Sequence, residues 1–321
     1  MLMRFRAPSG YKTHFSKDTA NMTTFKDKNN THIQWAKASL PAEGKDEDAV
    51  FAIGLQDKKR LLVGVADGIS NANGRSAAQW IAKTMNDLAS KPQCVKWSIR
   101  ELYTKMVQSL KNHVAEVDSQ RSRSTLTCGF VSTVETSHGQ KLRFDFFALG
   151  DSPVWVVRFV NRGSFRYQAS VIYDAPVPSE MSVLYSWLDL EAQEISGHVH
   201  FGTVELDPDD LLMVMSDGIP EHILLMQDQE KERGNSPQML DAIKESFVLN
   251  DEILNKLLMA YQDQHLLIDD DASAVVVRLC KYDQSLNNQT GQSMIVFHTP
   301  DPNKRSPKMP RRNRKNRKNS Q

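Results

Sequence analysis

Cysteine is scarce in this chain, with three residues among 321. Cys94, Cys128 and Cys280 are far apart and form no Cys-x-x-Cys pair, which argues against a disulfide framework and a thiolate zinc site. No apolar run approaches the roughly 20 residues of a membrane-spanning helix, and Met1–Lys12 lacks the apolar stretch of a secretory signal. We therefore expect a cytoplasmic protein without membrane association, and a monomer.

Acidic residues are missing from the end of the chain. After Asp301 there are nine Lys or Arg residues and no Asp or Glu, whereas residues 1–301 hold 31 basic and 39 acidic side chains. Lys304–Gln321 has almost nothing apolar with which to offset its ordering entropy, so we predict a disordered basic tail over residues 282–321. Such a tail suits an acidic partner or a nucleic acid, and a solvated extension fits it equally well. Residues 1–30 are predicted to be a loosely ordered lead-in.

The residues between these ends alternate between strand and helix patterns. Helical spacing of apolar residues predicts helices over Ser76–Ala89, Ser98–Val117 and Asp251–Gln262. Short apolar or alternating runs predict strands over Thr31–Leu40, Ala49–Gly54, Leu61–Ala66, Thr125–Thr133, Leu142–Leu149, Val154–Phe159, Phe165–Tyr173, Val199–Glu205, Leu211–Ser216 and Ser273–Leu279. The order of these elements is not the regular alternation of a doubly wound parallel sheet. It predicts an α+β domain over residues 31–281, with a central, mostly antiparallel two-sheet β-sandwich flanked by helices in an α/β/β/α arrangement.

Acidic residues cluster where predicted strands begin or end. The clusters are Asp46-Glu47-Asp48, Asp67-Gly68, Asp217-Gly218 and Asp269-Asp270-Asp271. A carboxylate at the mouth of a buried strand costs several kcal/mol unless a cation or hydrogen bonds compensate it. Oxygen ligands with little histidine or thiolate favour Mg²⁺ or Mn²⁺ over zinc. A single Asp-Gly after a strand is more often a turn than a ligand, but the repetition of the pattern predicts a metal site.

Six motifs follow one another in a recognisable order. They are Lys45-Asp46-Glu47-Asp48-Ala49, Val65-Ala66-Asp67-Gly68, Ser124-Thr125-Leu126-Thr127, Ala148-Leu149-Gly150-Asp151-Ser152, the run from Leu211 to His222 containing Asp217-Gly218, and the run from Asp270 to Val277. In this order they resemble the metal-dependent Ser/Thr protein phosphatases of type 2C, in their bacterial form. The resemblance covers roughly residues 31–280.

The resemblance implies a role for each acidic position. Asp67 would bridge two Mn²⁺ or Mg²⁺ ions, with the Gly68 carbonyl as an extra ligand and with Asp217 and Asp270 completing one coordination sphere. Further ligands implied for the second ion are Glu47 and Asp48, and for a weaker third ion Asp151, with Glu221 nearby. Asp67 and Asp217 are accordingly the predicted catalytic residues, and a metal-bound hydroxide would hydrolyse phosphoserine or phosphothreonine on a phosphoprotein. Asp269 and Asp271 are interpreted as turn residues.

The chain departs from the family pattern at its phosphate-binding position. Glu43 stands where the family usually has an arginine, and an acid there would repel phosphate. Lys45 or Arg75 is the predicted substitute. The family's glycines after the first Asp-Gly are also replaced, with Gly74 remaining. Two other functions stay open: a catalytically weak, phosphatase-like binding module that engages a partner through its basic tail, and a two-metal nuclease.

Overall fold

The structure is a computed structural model, and it describes residues 25–26, 31–42, 44–57, 59–70, 73–113, 121–162, 165–173, 186–219, 249–263 and 270–281. The chain divides into two units, residues 1–282 and 283–321, and the described residues all lie in the first. Glu43, Glu221, Asp269 and the predicted basic tail lie outside the described residues, as does the predicted lead-in apart from Phe25–Lys26.

The described strands form two large sheets and one small one. In chain order the strands are β1 Phe25–Lys26, β2 Thr31–Leu40, β3 Ala49–Gly54, β4 Arg60–Ala66, β5 Arg123–Ser124, β6 Leu126–Thr136, β7 Gly139–Leu149, β8 Val154–Arg162, β9 Phe165–Tyr173, β10 Trp187–Asp189, β11 Glu194–Ser196, β12 His200–Leu206, β13 Leu211–Met215 and β14 Ala272–Lys281. One large sheet has the order β1-β2-β14-β13-β8-β9, the other β12-β7-β6-β4-β3, and the small sheet β11-β10-β5. Every pairing between these strands is antiparallel.

Helices cover the outer faces of both large sheets. The described α-helices are α1 Gly74–Ala89, α2 Ile99–Lys111 and α3 Asp251–Asp263, and a short 3₁₀ helix spans Pro92–Lys96. Apolar side chains of α1 and α2 pack on the five-stranded sheet, whereas α3 packs on the six-stranded sheet. None of the described helices is long and apolar enough to cross a membrane.

Alternation along the strands divides the core into layers. On β13, Met213 and Met215 face α3, while Leu212 and Val214 face the other sheet, because successive strand residues point to opposite faces. The layer between the sheets is completed from the five-stranded sheet by residues such as Phe144. This confirms the predicted antiparallel sandwich with helices outside it.

The largest difference between predicted and observed elements concerns α2. The helix begins as expected, because Ser98 caps it and forms a reciprocal capping box with Glu101. It ends at Lys111, so Asn112 and His113 already lie outside it although the apolar spacing continues further along the chain.

Four strands were not predicted: β1, β5, β10 and β11. They contain two or three residues each, too few for an alternating pattern to be visible.

Candidate metal centre

The antiparallel registers bring the acidic motifs to one end of the sandwich. Because Ala49 pairs with Ala66, Asp48 just before β3 lies beside Asp67 just after β4. Asp217 follows β13, and Asp270 precedes its partner β14. Asp151 lies in the connection from β7 of one sheet to β8 of the other. Residues separated by up to 222 positions in the sequence thereby meet at a single edge of the fold.

Burial and mutual repulsion perturb these carboxyl groups. Desolvation raises the pKa of Asp67 well above its ordinary value, and the negative charges of the other four aspartates, Asp48, Asp217, Asp151 and Asp270, raise it further. Desolvation is also the main reason why the pKa of Asp48 rises to about 7. Such a cluster is costly unless positive charge or protons neutralise it.

A lysine supplies part of that positive charge. The Nζ of Lys45 lies 2.9 Å from Oδ1 of Asp270, and this hydrogen bond raises the pKa of Lys45. Burial and the charge of Asp270 raise the pKa of Asp217, whereas a hydrogen bond with Asp67 and the Lys45 ammonium lower it in part. The predicted phosphate-binding lysine therefore lies among the predicted metal ligands.

The donor set fits divalent metal ions. Oδ2 of Asp48 is buried without a hydrogen-bond partner, although a buried carboxylate oxygen normally has one. Carboxylates and main-chain carbonyls are the ligands that Mg²⁺ and Mn²⁺ prefer. No described group of three or more His, Cys, Asp or Glu side chains is already arranged as an ion cage, and Asp270 contacts Lys45 instead. The residues thus fit the ions by the chemistry of their donors and by the unpartnered oxygen of Asp48.

Hydroxyl groups hold the main chain of Asp67 in place. Its carbonyl accepts hydrogen bonds from Oγ of Ser124 and from the backbone N–H of Thr125, each at 2.8 Å. Oγ1 of Thr125 lies 2.9 Å from Oγ of Ser152, and Oγ1 of Thr127 donates to the carbonyl of Ser152 at 2.7 Å. The hydroxyl-rich motif therefore connects Asp67 to the loop that carries Asp151. This role follows from the structure and could not be derived from the motif alone.

Glycine is required where the loops of the site meet. A Cβ at Gly68 would lie 2.5 Å from the carbonyl oxygen of Glu47, and one at Gly74 would lie 2.2 Å from the carbonyl carbon of Gly68. Contacts this short would force backbone to move. Gly68 and Gly74, the glycine that the chain retains, therefore pack against each other, and neither position has room for a side chain.

Asp271 has a different role from the turn residue that the sequence suggested. It is 2% exposed, and its carboxylate accepts hydrogen bonds from the main-chain N–H groups of Ala42, Glu47 and Asp48. The adjoining acid, Asp270, faces Lys45. Asp270 and Asp271 look alike in the sequence, and the hydrogen bonds of the structure show that Asp271 binds the main chain around the first acidic motif whereas Asp270 binds the Lys45 side chain.

Two further predicted site residues lie beside the cluster. Oε2 of Glu47 accepts a hydrogen bond from Oγ of Ser70. Arg75, at the start of α1, forms an ion pair at 2.8 Å with Asp46, and both side chains are exposed. Arg75 therefore contacts the first acidic motif, whereas Lys45 reaches the acid cluster itself. The roles of these residues in binding metal or phosphate stay predictions.

Comparisons with known proteins agree on the fold. No protein-family model matches the sequence, and no curated protein is significantly similar to it. Among solved structures, a serine/threonine phosphatase of S. agalactiae has a TM-score of 0.52 at 13% identity, over 77% of this chain and 99% of that one. A bacterial serine phosphatase has a TM-score of 0.50 at 12% identity, over 77% and 98% of the two chains. The protein has the fold of the bacterial serine/threonine phosphatases, in agreement with the type 2C family that its motifs resemble.

Proposed function

We propose that this protein is a metal-dependent phosphatase that hydrolyses phosphoserine or phosphothreonine on proteins. The observation that carries the proposal is the meeting of Asp48, Asp67, Asp151, Asp217 and Asp270 at one end of the sandwich. Similarity to phosphatase folds supports it, but a fold alone hosts many functions. The clustered carboxylates supply the chemical argument.

Charge explains why the site would need cations. A phosphorylated residue carries a charge of about −1.5 to −2 near pH 7, and carboxylates alone would repel it. Two Mn²⁺ or Mg²⁺ ions, with a third in the weaker site, would neutralise that repulsion, polarise the phosphoryl group and lower the pKa of a water molecule. Asp67, Asp217 and Asp270 would hold one ion, and Asp67 together with Glu47 and Asp48 the other.

The protein residues have separate tasks in this proposal. Ser124 and Thr125 fix the main chain of Asp67, and this would hold its carboxylate in place as a metal ligand. Lys45 would transfer from Asp270 to the substrate phosphate when ions neutralise the aspartates. Arg75 stands at the rim and would reach phosphate only by leaving Asp46. No covalent phospho-enzyme is required, because water is the nucleophile.

Hydrolysis of a phosphothreonine peptide with Mn²⁺ tests the proposal. The wild-type protein should release phosphate, and Asp217→Asn should remove nearly all of this activity because it removes a ligand charge. Asp145→Asn is the matched control, since Asp145 is half-buried and bonded to Arg143 and Thr203 away from the cluster. A folded wild-type protein without activity would contradict the proposal and favour the binding module. Nucleic-acid cleavage instead would favour the nuclease.

Partners beyond the substrate are part of the same proposal. The basic tail would bind an acidic surface of a partner or a nucleic acid, and the phosphatase domain would act as a monomer. The charge distribution of the sequence supports binding by the tail, because the body of the chain carries an excess of acidic residues and residues 302–321 carry none.

A further inference from the structure

One buried carboxylate connects the first and last acidic motifs. Oδ1 of Asp271 accepts the backbone N–H of Ala42 at 2.7 Å. Oδ2 accepts the backbone N–H groups of Glu47 and, at 3.2 Å, Asp48. The donors lie more than 220 positions away in the sequence. Both oxygens are therefore used, and the main chain at Ala42 and at Glu47 and Asp48 is attached to the start of β14.

Between these attachment points, two described residues have positive φ angles. Gly44 has a φ of +80°, and Asp46, which is not a glycine, has a φ of +143°. A residue with a side chain in this region costs about 1–3 kcal/mol and persists only where surrounding contacts determine it. Hydrogen bonds from both sides of the strained residue to Asp271 provide such contacts.

The main chain of Asp271 is attached to the second Asp-Gly motif. Oγ of Ser216 donates to the Asp271 carbonyl at 3.1 Å and accepts the N–H of Ser273 at 2.9 Å. Gly218 packs so closely on this carbonyl that a Cβ there would lie 1.9 Å from its oxygen. The N–H of Asp271 donates to Oδ1 of Asp270 at 2.9 Å. Asp271 thus contacts two of the other three acidic motifs, as well as Asp270 of its own motif.

We propose that Asp271 is a positioning residue that fixes Glu47 and Asp48 relative to Asp217 and Asp270, so that divalent ions find their ligands in place. The proposal rests on the metal site of the proposed function. We assign Asp271 no direct contact with an ion, since both of its oxygens accept main-chain N–H groups. The two oxygens of Asp271 together accept three main-chain N–H groups, and a side chain without acceptor atoms would leave all three donors unpaired.

The variant Asp271→Ala, which removes both acceptor oxygens, tests this role in the full-length protein. Residues that orient metal ligands typically affect metal affinity by about 10–100-fold, so we expect Mn²⁺ binding measured by calorimetry to weaken within that range while the circular dichroism spectrum is retained. Asp210→Ala is the matched control. Asp210 is also buried, accepts a backbone N–H from Asp207 and pairs with Arg158, but it lies at the opposite end of β13. This control should lose stability without losing Mn²⁺ affinity.

Equal Mn²⁺ affinity in Asp271→Ala and wild type would overturn the proposal, as would an equal loss in Asp210→Ala. Wild type that binds no Mn²⁺ would instead contradict the proposed function. Should Asp271→Ala not fold, hydrogen exchange of metal-free wild type decides the question. The amides of Glu47 and Asp48 should exchange at least about 100-fold more slowly than unprotected amides, since they are bonded to a buried acceptor. Exchange at the unprotected rate would refute the attachment.

Discussion

Replacing Lys45 by methionine tests two effects of the Lys45 ammonium group: its competition with a metal ion at Asp270 and its contact with the substrate phosphate. In the structure its Nζ lies 2.9 Å from Oδ1 of Asp270, and the two side chains are 30% and 37% exposed. A divalent ion bound through this oxygen would displace the ammonium. A partly exposed ion pair contributes about 0.5–1 kcal/mol, which corresponds to about 2–5-fold in an equilibrium constant. Lys45→Met should therefore bind Mn²⁺ about 2–5-fold more tightly than wild type.

The same substitution should weaken the interaction with substrate. If Lys45 transfers to phosphate once ions are bound, its removal costs a contact of similar strength, and KM for a phosphopeptide should rise by about 2–5-fold. Tighter metal binding combined with weaker substrate binding distinguishes this role from general damage to the site, which would weaken both.

Calorimetric titration with Mn²⁺ and steady-state kinetics measure the two effects. Lys256→Met is the control, because Lys256 pairs with Glu252 at 2.6 Å on the exposed face of α3, and it should change neither constant. Unchanged or weaker Mn²⁺ binding by Lys45→Met would refute the idea that the ammonium competes with the ion.

Three further predictions concern packing, pH and the tail. Gly218→Ala should destabilise the protein by about 1–3 kcal/mol in urea denaturation, because its Cβ would lie 1.9 Å from the Asp271 carbonyl oxygen; a wild-type midpoint would contradict that packing. The pKa of Asp48 is raised to about 7 from an ordinary value of 3.8, so the folded state binds the extra proton between these values and stability falls as pH rises. Metal-free wild type should accordingly melt at a higher temperature at pH 5 than at pH 8. This difference in melting temperature should be larger in wild type than in Asp48→Asn, and an equal difference in the two proteins would exclude Asp48 as the cause. Deleting residues 304–321 should leave peptide hydrolysis unchanged but weaken binding to heparin, used as an acidic probe, with a difference that shrinks as salt increases; equal heparin binding would exclude the tail.

Much of the fold could be predicted because the strand patterns are long and apolar. The bounds of β2, β3 and β9 agree with the sequence prediction at both ends. The antiparallel two-sheet arrangement also followed, since the order of strands and helices excluded regular alternation. The short strands of the small sheet could not be found, because their pairing depends on contacts between distant segments rather than on local pattern.

The site was predictable at the level of residue type. Repeated Asp-Gly ends of buried strands indicated that acids would gather, and the structure brings Asp48, Asp67 and Asp217 together as expected. The different contacts of Asp270 and Asp271 were not predictable. They depend on the direction of each side chain just before β14, and in the sequence equal carboxylates offer no signal of that direction.

Metal-dependent hydrolysis of p-nitrophenyl phosphate by wild type and Asp67→Asn is the most direct measurement. The negative charges of the four other aspartates of the cluster all raise the pKa of Asp67. We therefore expect the charge of Asp67 to contribute most to binding the ions. Wild type should show hydrolysis that rises with Mn²⁺ and disappears with a chelator, and Asp67→Asn should show none while remaining folded. Hydrolysis that is independent of Mn²⁺, or that survives in Asp67→Asn, would contradict a metal-dependent phosphatase.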